Sequence, residues 1–436
     1  MNNLFKIDNV VSLNKHYYLF NSKLKKFQFI FNFILILILL GTMAANSLSF
    51  VLIIALLILI LITITFNKVF KKIRIKLEET LSTREQLLMV LRTNNLYTTM
   101  NKEGQQKIIR SAILSFLIED DCIVVRAHVT GDNFSKQLRE LSSNLSSALG
   151  ISLEEQRDTP EHSDFLFLKK RPERLYIRST EKKETNNTLD IELGYGVTYN
   201  PVNCPHILIA GGTGSGKSLL ISYLLIEFLK KSENSVYICD PKNSDLGSLS
   251  HFLGEERVAT TPNNIARVTR LAITEMQNRY AHMNTNFRYG SNFGDHGYNP
   301  IWLIFDEMGA FQASGTDKKS KEIINEVMDS IKQIILLGRQ AGVFILISAQ
   351  QMNANTTIST DLRDNLGLRI ALGSNSSEGY RMVFGSNTPE NIPLIETKGA
   401  GLLYMQGSGK ETAQYWEAPF IDTKKFDFIE ELKKYV

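Results

Sequence analysis

Cysteine and histidine are scarce in this sequence, and those present are scattered. The 436 residues include three cysteines, Cys122, Cys204 and Cys239, and seven histidines, and neither type recurs at the spacing of a metal site. Isolated cysteines cannot form a disulfide framework, which is the usual mark of a small secreted domain. We therefore expect the globular part to fold in a reducing compartment, without a structural metal.

Acidic residues are nearly absent from the first 76 positions. This stretch has ten Lys and Arg residues and one acid, Asp8, so its charge is +9, whereas the net charge of the chain is +4 and the remainder therefore carries −5. The basic balance belongs to the N-terminal region. Bulk charge thus gives no argument that the rest of the chain binds nucleic acid.

Residues 27–67 lack charged side chains altogether. The apolar runs 27–44 and 48–66 each approach the ~20 residues that a bilayer-spanning helix needs, and Asn46 and Ser47 predict a tight turn between them. Basic residues flank both runs, which places both chain ends in the cytoplasm. We predict a cytoplasmic segment over 1–26 and a two-helix transmembrane hairpin over 27–66 in the cell membrane. A cleaved signal peptide or a buried soluble hairpin are the alternatives.

The segment 211–218 is the strongest chemical signal. It lies between an apolar strand pattern and an apolar helix pattern, and it fits G-x-x-x-x-G-K-[ST]. Glycines let backbone N–H groups converge on phosphates, and the following helix adds the positive end of its dipole. Lys217 can reach the β- and γ-phosphates and Ser218 can ligate Mg²⁺. The predicted nucleotide-binding residues are Gly211, Gly212, Thr213, Gly214, Ser215, Gly216, Lys217 and Ser218.

Two carboxylates, Asp306 and Glu307, follow the buried-strand pattern 301–305. In phosphate-loop enzymes the first acid of such a pair orients the magnesium shell and the second polarises the attacking water. We therefore assign Asp306 to Mg²⁺ and Glu307 as general base, with a helix N-cap as the alternative. Gln350 follows a third buried strand and could sense the γ-phosphate. Several such strands separated by helices predict a mostly parallel α/β sheet with its ligand at the strands' carboxyl ends.

The remaining chain divides around this core. Residues 67–118 are predicted to be a basic juxtamembrane and helical connector, and residues 119–180 a small β-α-β domain. The latter has strand patterns at 122–129 and 164–168, a helix pattern at 134–149 that Gly150 would end, and a further strand at 175–177. We place the ATPase core at 181–422 and a terminal helix within 423–436.

Several motifs occur together in the order typical of one family. They are the segments 205–218, 240–242, 275–280, 298–299, 338–342, 348–350, 368–370 and 398–404. Through them the chain resembles the FtsK/SpoIIIE DNA-translocase family over roughly residues 120–422. The resemblance implies a RecA-like P-loop ATPase that binds ATP and Mg²⁺. It also implies a homo-hexameric ring that hydrolyses ATP between subunits and draws double-stranded DNA through its centre, independently of sequence.

The resemblance also implies roles for single residues. Lys217, Asp306 and Glu307 keep the roles given above, and Gln350 becomes the γ-phosphate sensor. Arg339 lies eleven residues before Gln350, a spacing similar to that of the trans-acting arginine in related conjugation coupling ATPases. Such a finger stabilises transition-state charge on a neighbour's phosphate. An ordinary cation at a helix C-terminus is the alternative, and the weaker candidates for the finger are Arg363 and Arg369.

Two departures from the family pattern narrow the expected function. Chromosome-segregating members typically carry four spans, a long linker and a C-terminal winged-helix reader, whereas this sequence predicts two spans and a terminal helix. It is more similar to the TcpA-type coupling proteins, which would make it a conjugation coupling protein with channel and relaxase proteins as partners. The alternatives are a chromosome-segregation translocase, a type VII-like protein-secretion ATPase and a non-catalytic tether.

Contact with DNA is expected at two loops. The loop 284–297 offers Arg288 and Tyr289, and the loop 314–321 offers Lys318, Lys319 and Lys321. Contacts of this kind would be made to phosphates and would therefore be salt-sensitive and independent of sequence. Solvated surface loops are the alternative.

Overall fold

A computed structural model describes residues 9–14, 29–34, 50–102, 105–151, 153–178, 188–232, 235–350, 358–390, 392–393 and 395–436. The chain forms two compact units, Met1–Lys170 and Arg171–Val436.

The first unit contains a long helix, α1 (Phe50–Thr93). The predicted turn at Asn46 and Ser47 and most of the first apolar run lie outside the described residues. The described residues 29–34 are helical and contact α1: Asn32 and Asn67 exchange side-chain hydrogen bonds of 3.3 Å, and the ring centroids of Phe31 and Phe66 are 3.8 Å apart. No helix within the described ranges is long and apolar enough to cross a bilayer.

Strands replace the later part of the predicted helical connector, from residue 97 onward. The helix ends at Thr93, where Asn95 adopts the left-handed conformation with φ 53°, which asparagine tolerates better than most residues. The strands that follow are rich in threonine and isoleucine, whose branching favours strands over helices. The helical connector over 67–118 is therefore wrong beyond Thr93. Among its described residues, the strands of this unit are β1 (Val10–Val11), β2 (Tyr97–Lys102), β3 (Gln105–Ser111), β4 (Leu114–Ile118), β5 (Cys122–His128), β6 (Leu153–Asp158) and β7 (His162–Leu168).

An antiparallel sheet with the order β1-β4-β5-β7-β6 forms the core of the first unit, beside the separate hairpin β2-β3. Alternate residues of β5 and β7 are buried, so that one face of the sheet carries the apolar side chains. The predicted helix 134–149 is two helices, α2 (Ser135–Arg139) and α3 (Ser142–Leu149), and Gly150 ends the second at φ 69°, as expected of a C-cap.

The second unit is built on an eight-stranded sheet with the order β13-β12-β14-β15-β11-β16-β17-β18. All neighbours from β13 to β16 are parallel, and β17 and β18 add an antiparallel edge. Its strands are β11 (Ile207–Gly211), β12 (Val236–Cys239), β13 (Val258–Ala259), β14 (Ile301–Phe305), β15 (Val343–Ala349), β16 (Leu368–Leu372), β17 (Ala400–Met405) and β18 (Gln414–Glu417). The α/β P-loop fold expected from the sequence is confirmed.

Helices cover both faces of this sheet, which explains why β11, β14, β15 and β16 are buried along their whole length. The helices of this unit are α4 (Lys217–Lys231), α5 (Ser250–Leu253), α6 (Pro262–Thr285), α7 (Met308–Ala313), α8 (Lys318–Ala341), α9 (Thr360–Arg363), α10 (Ser377–Phe384) and α11 (Phe428–Leu432). Side chains of α4 and α11 share one apolar cluster with the sheet, and those of α6 and α8 share the other.

The strand predicted at 175–177 belongs to the second unit. It is β8 (Tyr176–Ile177), which pairs in parallel with β19 (Phe420–Ile421), while β9 (Ile191–Gly194) and β10 (Val197–Tyr199) form a hairpin. Arg174 Nε also donates a hydrogen bond of 2.6 Å to the Ala418 carbonyl. The small domain therefore ends near residue 170 instead of residue 180, because these contacts attach the segment after Lys170 to the second unit.

Candidate active site

Three neighbouring strand ends bring the predicted site residues together. The strands β14, β15 and β11 are adjacent and parallel, and Phe305 lies in register with Ile347 while Ala210 lies in register with Ala349. The phosphate loop, the acidic pair and Gln350 each begin where one of these strands ends. They therefore meet at the carboxyl edge of the sheet, where ligands bind in open α/β folds.

The phosphate loop (residues 211–218) has the backbone that its glycines allow. Gly214 and Gly216 have φ values of 82° and 103°, in the range that disfavours a side chain. A Cβ on Gly216 would lie 3.2 Å from the Cα of Gly399, so a second glycine loop supports the first from behind. Among the described residues Ser215 Oγ is buried without a hydrogen-bond partner. A glycine-rich loop of this shape before a helix fits the phosphates of a nucleoside triphosphate.

Opposite charges converge at the mouth of this loop. Lys217 Nζ lies 3.0 Å from Glu307 Oε2 and 3.7 Å from Asp306 Oδ1. The three side chains are 10–15% exposed. The structure thus brings the lysine of the loop into contact with both predicted acids, which follow a strand about ninety residues later in the sequence.

Glu307 is held on both carboxylate oxygens. The Gln350 N–H donates to Oε1 at 3.2 Å, while Lys217 Nζ is at 3.0 Å and Lys242 Nζ at 3.5 Å from Oε2. Burial would raise the pKa of Glu307, but the nearby lysine charges and these hydrogen bonds outweigh it and hold the pKa below its usual value. The carboxylate is therefore ionised at neutral pH and can accept a proton or orient a water molecule.

The backbone at Glu307 is unusual. Its φ of 50° is left-handed, which costs a residue with a Cβ about 1–3 kcal/mol. The Glu307 N–H donates to Ser348 Oγ at 3.3 Å, and the same hydroxyl donates to Asp306 Oδ1. Ser348 is fully buried. It was recognised in the sequence only as part of a motif, yet it connects both acids; the available signal was a polar residue inside an otherwise apolar strand.

Lys242 was not predicted as a site residue. It follows β12, which pairs with β14 so that Cys239 lies opposite Phe305. The acid at the level of Asp306 is Asp240, which is fully buried and accepts hydrogen bonds from Ser244 N, Gly247 N and Lys242 N at 2.7–3.1 Å. Asp240 thus shapes the turn that brings Lys242 to Glu307.

Asp306 and Ser218 offer the oxygen ligands that Mg²⁺ prefers, a carboxylate and a hydroxyl. Ser218 follows Lys217 in the first turn of α4 and is exposed at the site. These two residues would hold the ion, whose charge would stabilise the phosphates.

Gln350 contributes through both its backbone and its side chain. The backbone N–H holds Glu307, and the exposed side chain borders a cavity of about 470 Å³. The cavity is also lined by Ala210, Gly212 and Asn375. The phosphate loop and Gln350 therefore share one open space, which suits a sensor of a bound phosphate.

Arg339 lies far from these residues. It is near the end of α8, just before β15 begins, whereas Gln350 follows the end of β15. Seven residues of strand span ~23 Å, so Arg339 occupies the amino edge of the sheet. It is exposed, and its Nε donates to the Val202 carbonyl at 2.9 Å.

The two weaker finger candidates have structural partners. Arg363 is 9% exposed and pairs with Asp364 at 2.9 Å. Arg369 is 4% exposed and donates to the Phe384 carbonyl at 3.0 Å and to Asn387 Oδ1 at 2.6 Å. Both guanidinium groups are therefore committed to the fold of their own chain.

The two groups of predicted DNA contacts lie at opposite ends of α8. Lys318, Lys319 and Lys321 occupy its first turn rather than a loop, because Asp317 caps the helix by accepting from Ser320 N at 2.9 Å. Arg288 and the 97%-exposed Tyr289 precede Ser291, whose carbonyl accepts from Gln340 at the other helix end. The 24 residues of α8 span ~36 Å, so these groups cannot form a single contact.

Comparison with known proteins gives consistent matches. Residues 176–379 match the model of the FtsK/SpoIIIE family. The chain is 34% identical over 234 residues to the FtsK domain-containing protein YdcQ of Bacillus subtilis, covering 52% of this chain and 46% of that protein. It is 25% identical over 284 residues to the DNA translocase FtsK of Staphylococcus aureus, covering 59% and 33%. The chain thus spans less than half of these two relatives.

A solved structure shares the fold over a longer stretch. It is the pCW3 conjugation coupling protein TcpA, in its monomer form with ATPγS, with a TM-score of 0.53 and 19% identity. The similarity covers 80% of this chain and 99% of that one. At this identity the match establishes a common fold.

Proposed function

We propose that this chain is a membrane-anchored, ATP-driven DNA translocase, because residues 176–379 match the model of the FtsK/SpoIIIE family. Within this class we propose that it acts as a coupling protein, which delivers DNA to a conjugative transfer channel. Relaxase and channel proteins would be its partners. This assignment follows the two predicted spans, by which the chain is more similar to coupling proteins than to segregation motors.

The convergence of Lys217, Asp306 and Glu307 at the phosphate loop carries the proposal of ATP hydrolysis. Lys217 supplies positive charge where the β- and γ-phosphates would lie. Glu307 is ionised and held on both oxygens, so it can orient the attacking water and take its proton. Bound Mg²⁺ would neutralise developing charge on the phosphates. Every protein group that hydrolysis needs within one subunit is thus present at this edge.

The position of Arg339 supports a site shared between subunits. It lies a strand's length from its own phosphate loop, ~23 Å, and cannot reach a nucleotide bound there. It is exposed, so it could reach the nucleotide of a neighbouring copy. We propose a homo-hexamer in which Arg339 acts as the arginine finger of the next site.

The lysines in the first turn of α8 are the better candidates for DNA contact. They lie at the same edge as the nucleotide, and α7 with the short segment 314–317 separates them from Glu307. A change at Glu307 during hydrolysis could therefore move them directly. Arg288 and Tyr289 lie instead at the edge of Arg339, and we propose DNA contact there only as the second candidate. Contacts at either place would be to phosphates and insensitive to sequence.

Anchoring in the cell membrane is proposed from residues 27–66. They are uncharged, and basic residues flank them on both sides, so both termini and the motor would be cytoplasmic. The contacts of Asn32 with Asn67 and of Phe31 with Phe66 support a hairpin, because they bring together the ends of the two apolar runs.

ATP hydrolysis by the full-length protein in detergent tests the proposal. We expect double-stranded DNA to stimulate turnover at least several-fold and Lys217→Ala to abolish it, because the loop would lose its phosphate cation. Lys332→Met, at an exposed position on α8, should leave turnover unchanged. Stimulation by a secreted protein and by no DNA would contradict a DNA motor. For the coupling role, Lys217→Ala in a donor cell should abolish conjugative transfer and leave chromosome partition intact; the opposite pattern would indicate a segregation motor.

A further inference from the structure

We propose that Lys242 is a positioning residue for Glu307, which holds this carboxylate in place for the attacking water while Lys217 serves the phosphates. The inference rests on the proposed ATPase function. It assigns a role to the lysine of the Asp240-Pro241-Lys242 segment, which no step of the mechanism above uses.

The pairing register of β12 with β14 places Lys242 at the site. Pairing of β12 with β14 places Cys239 beside Phe305, and the Asp306 N–H donates to the Cys239 carbonyl at 2.8 Å. The two chains therefore leave the sheet side by side. Pro241 cannot continue the ladder because it lacks an N–H, so the chain turns here, immediately beside the acidic pair.

Asp240 fixes the direction of this turn. Its carboxylate is fully buried and accepts from three backbone N–H groups and from Ser244 Oγ. A Cβ on Gly247 would lie 2.7 Å from Asn243 Oδ1 and 3.2 Å from Asp240 Oδ2, so the turn closes tightly against this acid. A buried carboxylate with this many donors makes a rigid turn, and Lys242 is therefore presented from a fixed backbone.

Lys242 and Lys217 share one oxygen atom of Glu307. Lys217 Nζ is at 3.0 Å and Lys242 Nζ at 3.5 Å from Oε2. These are the two cations within 4.0 Å of Glu307 in the part of the chain that the structure describes. The phosphate loop requires Lys217 for the β- and γ-phosphates, so its hold on Glu307 weakens when it serves them. Lys242 can then keep Oε2 while the Gln350 N–H keeps Oε1.

The two lysines differ in burial in the way that these roles require. The Lys217 side chain is 11% exposed and that of Lys242 is 41% exposed. Lys242 therefore reaches Glu307 from the solvent side of the site. Positioning matters at Glu307 because its strained backbone, with φ 50°, lies between the end of β14 and the start of α7. Small displacements of a catalytic group cost substantial rate.

Steady-state kinetics of Lys242→Met, measured on the full-length protein together with the affinity for ATPγS, test this role. Methionine keeps the apolar stem and removes the charge. We expect kcat to fall about tenfold, because misplacement of a general base costs rate but not binding. The affinity for ATPγS should stay within about twofold, and Lys242→Arg should recover most of kcat. Lys332→Met is the matched control, and a thermal melt of each variant reports on folding.

A double-mutant cycle with Glu307→Gln separates positioning from direct contact with the nucleotide. If Lys242 acts through Glu307, Lys242→Met should cause no further loss in slow single-turnover hydrolysis by Glu307→Gln. Weaker ATPγS binding, or an equal loss of rate in the Glu307→Gln background, would overturn the proposal and indicate that Lys242 touches the phosphates. Failure of the wild-type protein to hydrolyse ATP would instead contradict the proposed function itself.

Discussion

The two edges of the eight-stranded sheet use charged residues in different ways. At the carboxyl edge, Lys217, Lys242, Asp306 and Glu307 contact one another, and a bound ligand could replace several of these contacts. At the amino edge, Arg279 is 5% exposed and donates to the Asn299 and Ala341 carbonyls, both at 2.9 Å, besides pairing with Glu275 of its own helix at 2.9 Å. Partners that are side chains can be exchanged for a ligand, whereas backbone carbonyls are fixed by the fold. The first edge is therefore suited to chemistry and the second to stability.

Arg339 is the exception at the amino edge. Unlike Arg279 it is exposed, and its described contact is a single hydrogen bond to the Val202 carbonyl. An arginine that contributes little to its own fold and lies far from its own nucleotide is suited to act on another subunit. The comparison of the edges therefore predicts opposite results for the two arginines.

Replacing Arg339 by alanine should cause the largest effect. We expect kcat to fall about a hundredfold, since a trans-acting arginine stabilises transition-state charge, while the free energy of unfolding changes by less than about 0.5 kcal/mol, as at other exposed positions. Mixing Arg339→Ala with Glu307→Gln subunits should restore part of the turnover, because some interfaces then pair an intact finger with an intact base. A mixture without activity, in rings confirmed as intact by sedimentation, would indicate a structural role for Arg339.

Replacing Arg279 by methionine should give the reverse pattern. The substitution leaves the carbonyls of Asn299 and Ala341, the second of which is buried, without this donor, and we expect the free energy of unfolding to fall by about 2–4 kcal/mol. Urea denaturation measures this loss. The folded fraction should still hydrolyse ATP at close to the wild-type kcat, because Arg279 lies at the edge away from the nucleotide. A large loss of kcat without loss of stability would show that Arg279 serves catalysis, and the amino edge could then not be assigned to stability alone.

The contrast between these arginines shows what the sequence could predict. The phosphate loop and the acidic pair could be predicted because the residues of each are consecutive in the sequence. A glycine-rich loop that ends in lysine, followed later by a strand that ends in two carboxylates, is rarely found outside nucleotide-binding sites. Arg279 lies in a segment that matches the family, 275–280, but its structural role depends on carbonyls at Asn299 and Ala341, which only the packed helices bring near. Lys242 and Ser348 escaped prediction for the same reason, since strand register decides their contacts.

The placement of the candidate DNA contacts was predictable in part. Each helix between parallel strands runs back across the sheet, so a loop before α8 and a loop before β14 must lie at opposite edges. This follows from the order of elements and separates Lys318 from Arg288 without any coordinates. The strands at residues 97–118 could not be obtained in this way, because short segments with mixed patterns do not distinguish helix from strand.

Protonation of His206 should give the smallest effect, and it too belongs to the amino edge. His206 directly precedes β11, the strand before the phosphate loop, and has φ 62°; it is fully buried and accepts the Ile345 N–H at Nδ1 over 3.1 Å. Burial lowers its pKa to about 3, whereas in the unfolded chain it titrates near its usual ~6.5. Between these values the unfolded chain binds the extra proton, so stability falls as pH falls below about 6.5.

From pH 7 to pH 5 this one group should lower the free energy of unfolding by about 2 kcal/mol. Asparagine can accept the same N–H and tolerates a positive φ, so His206→Asn should remove that part of the pH dependence while keeping the fold. Urea denaturation of both proteins at the two pH values measures the difference. Equal losses in the two proteins would show that His206 is not held neutral. The amino edge would then contain a histidine that titrates near neutrality. Its hydrogen-bond partners would change with pH, so the amino edge could no longer be described as the edge whose contacts are fixed by the fold.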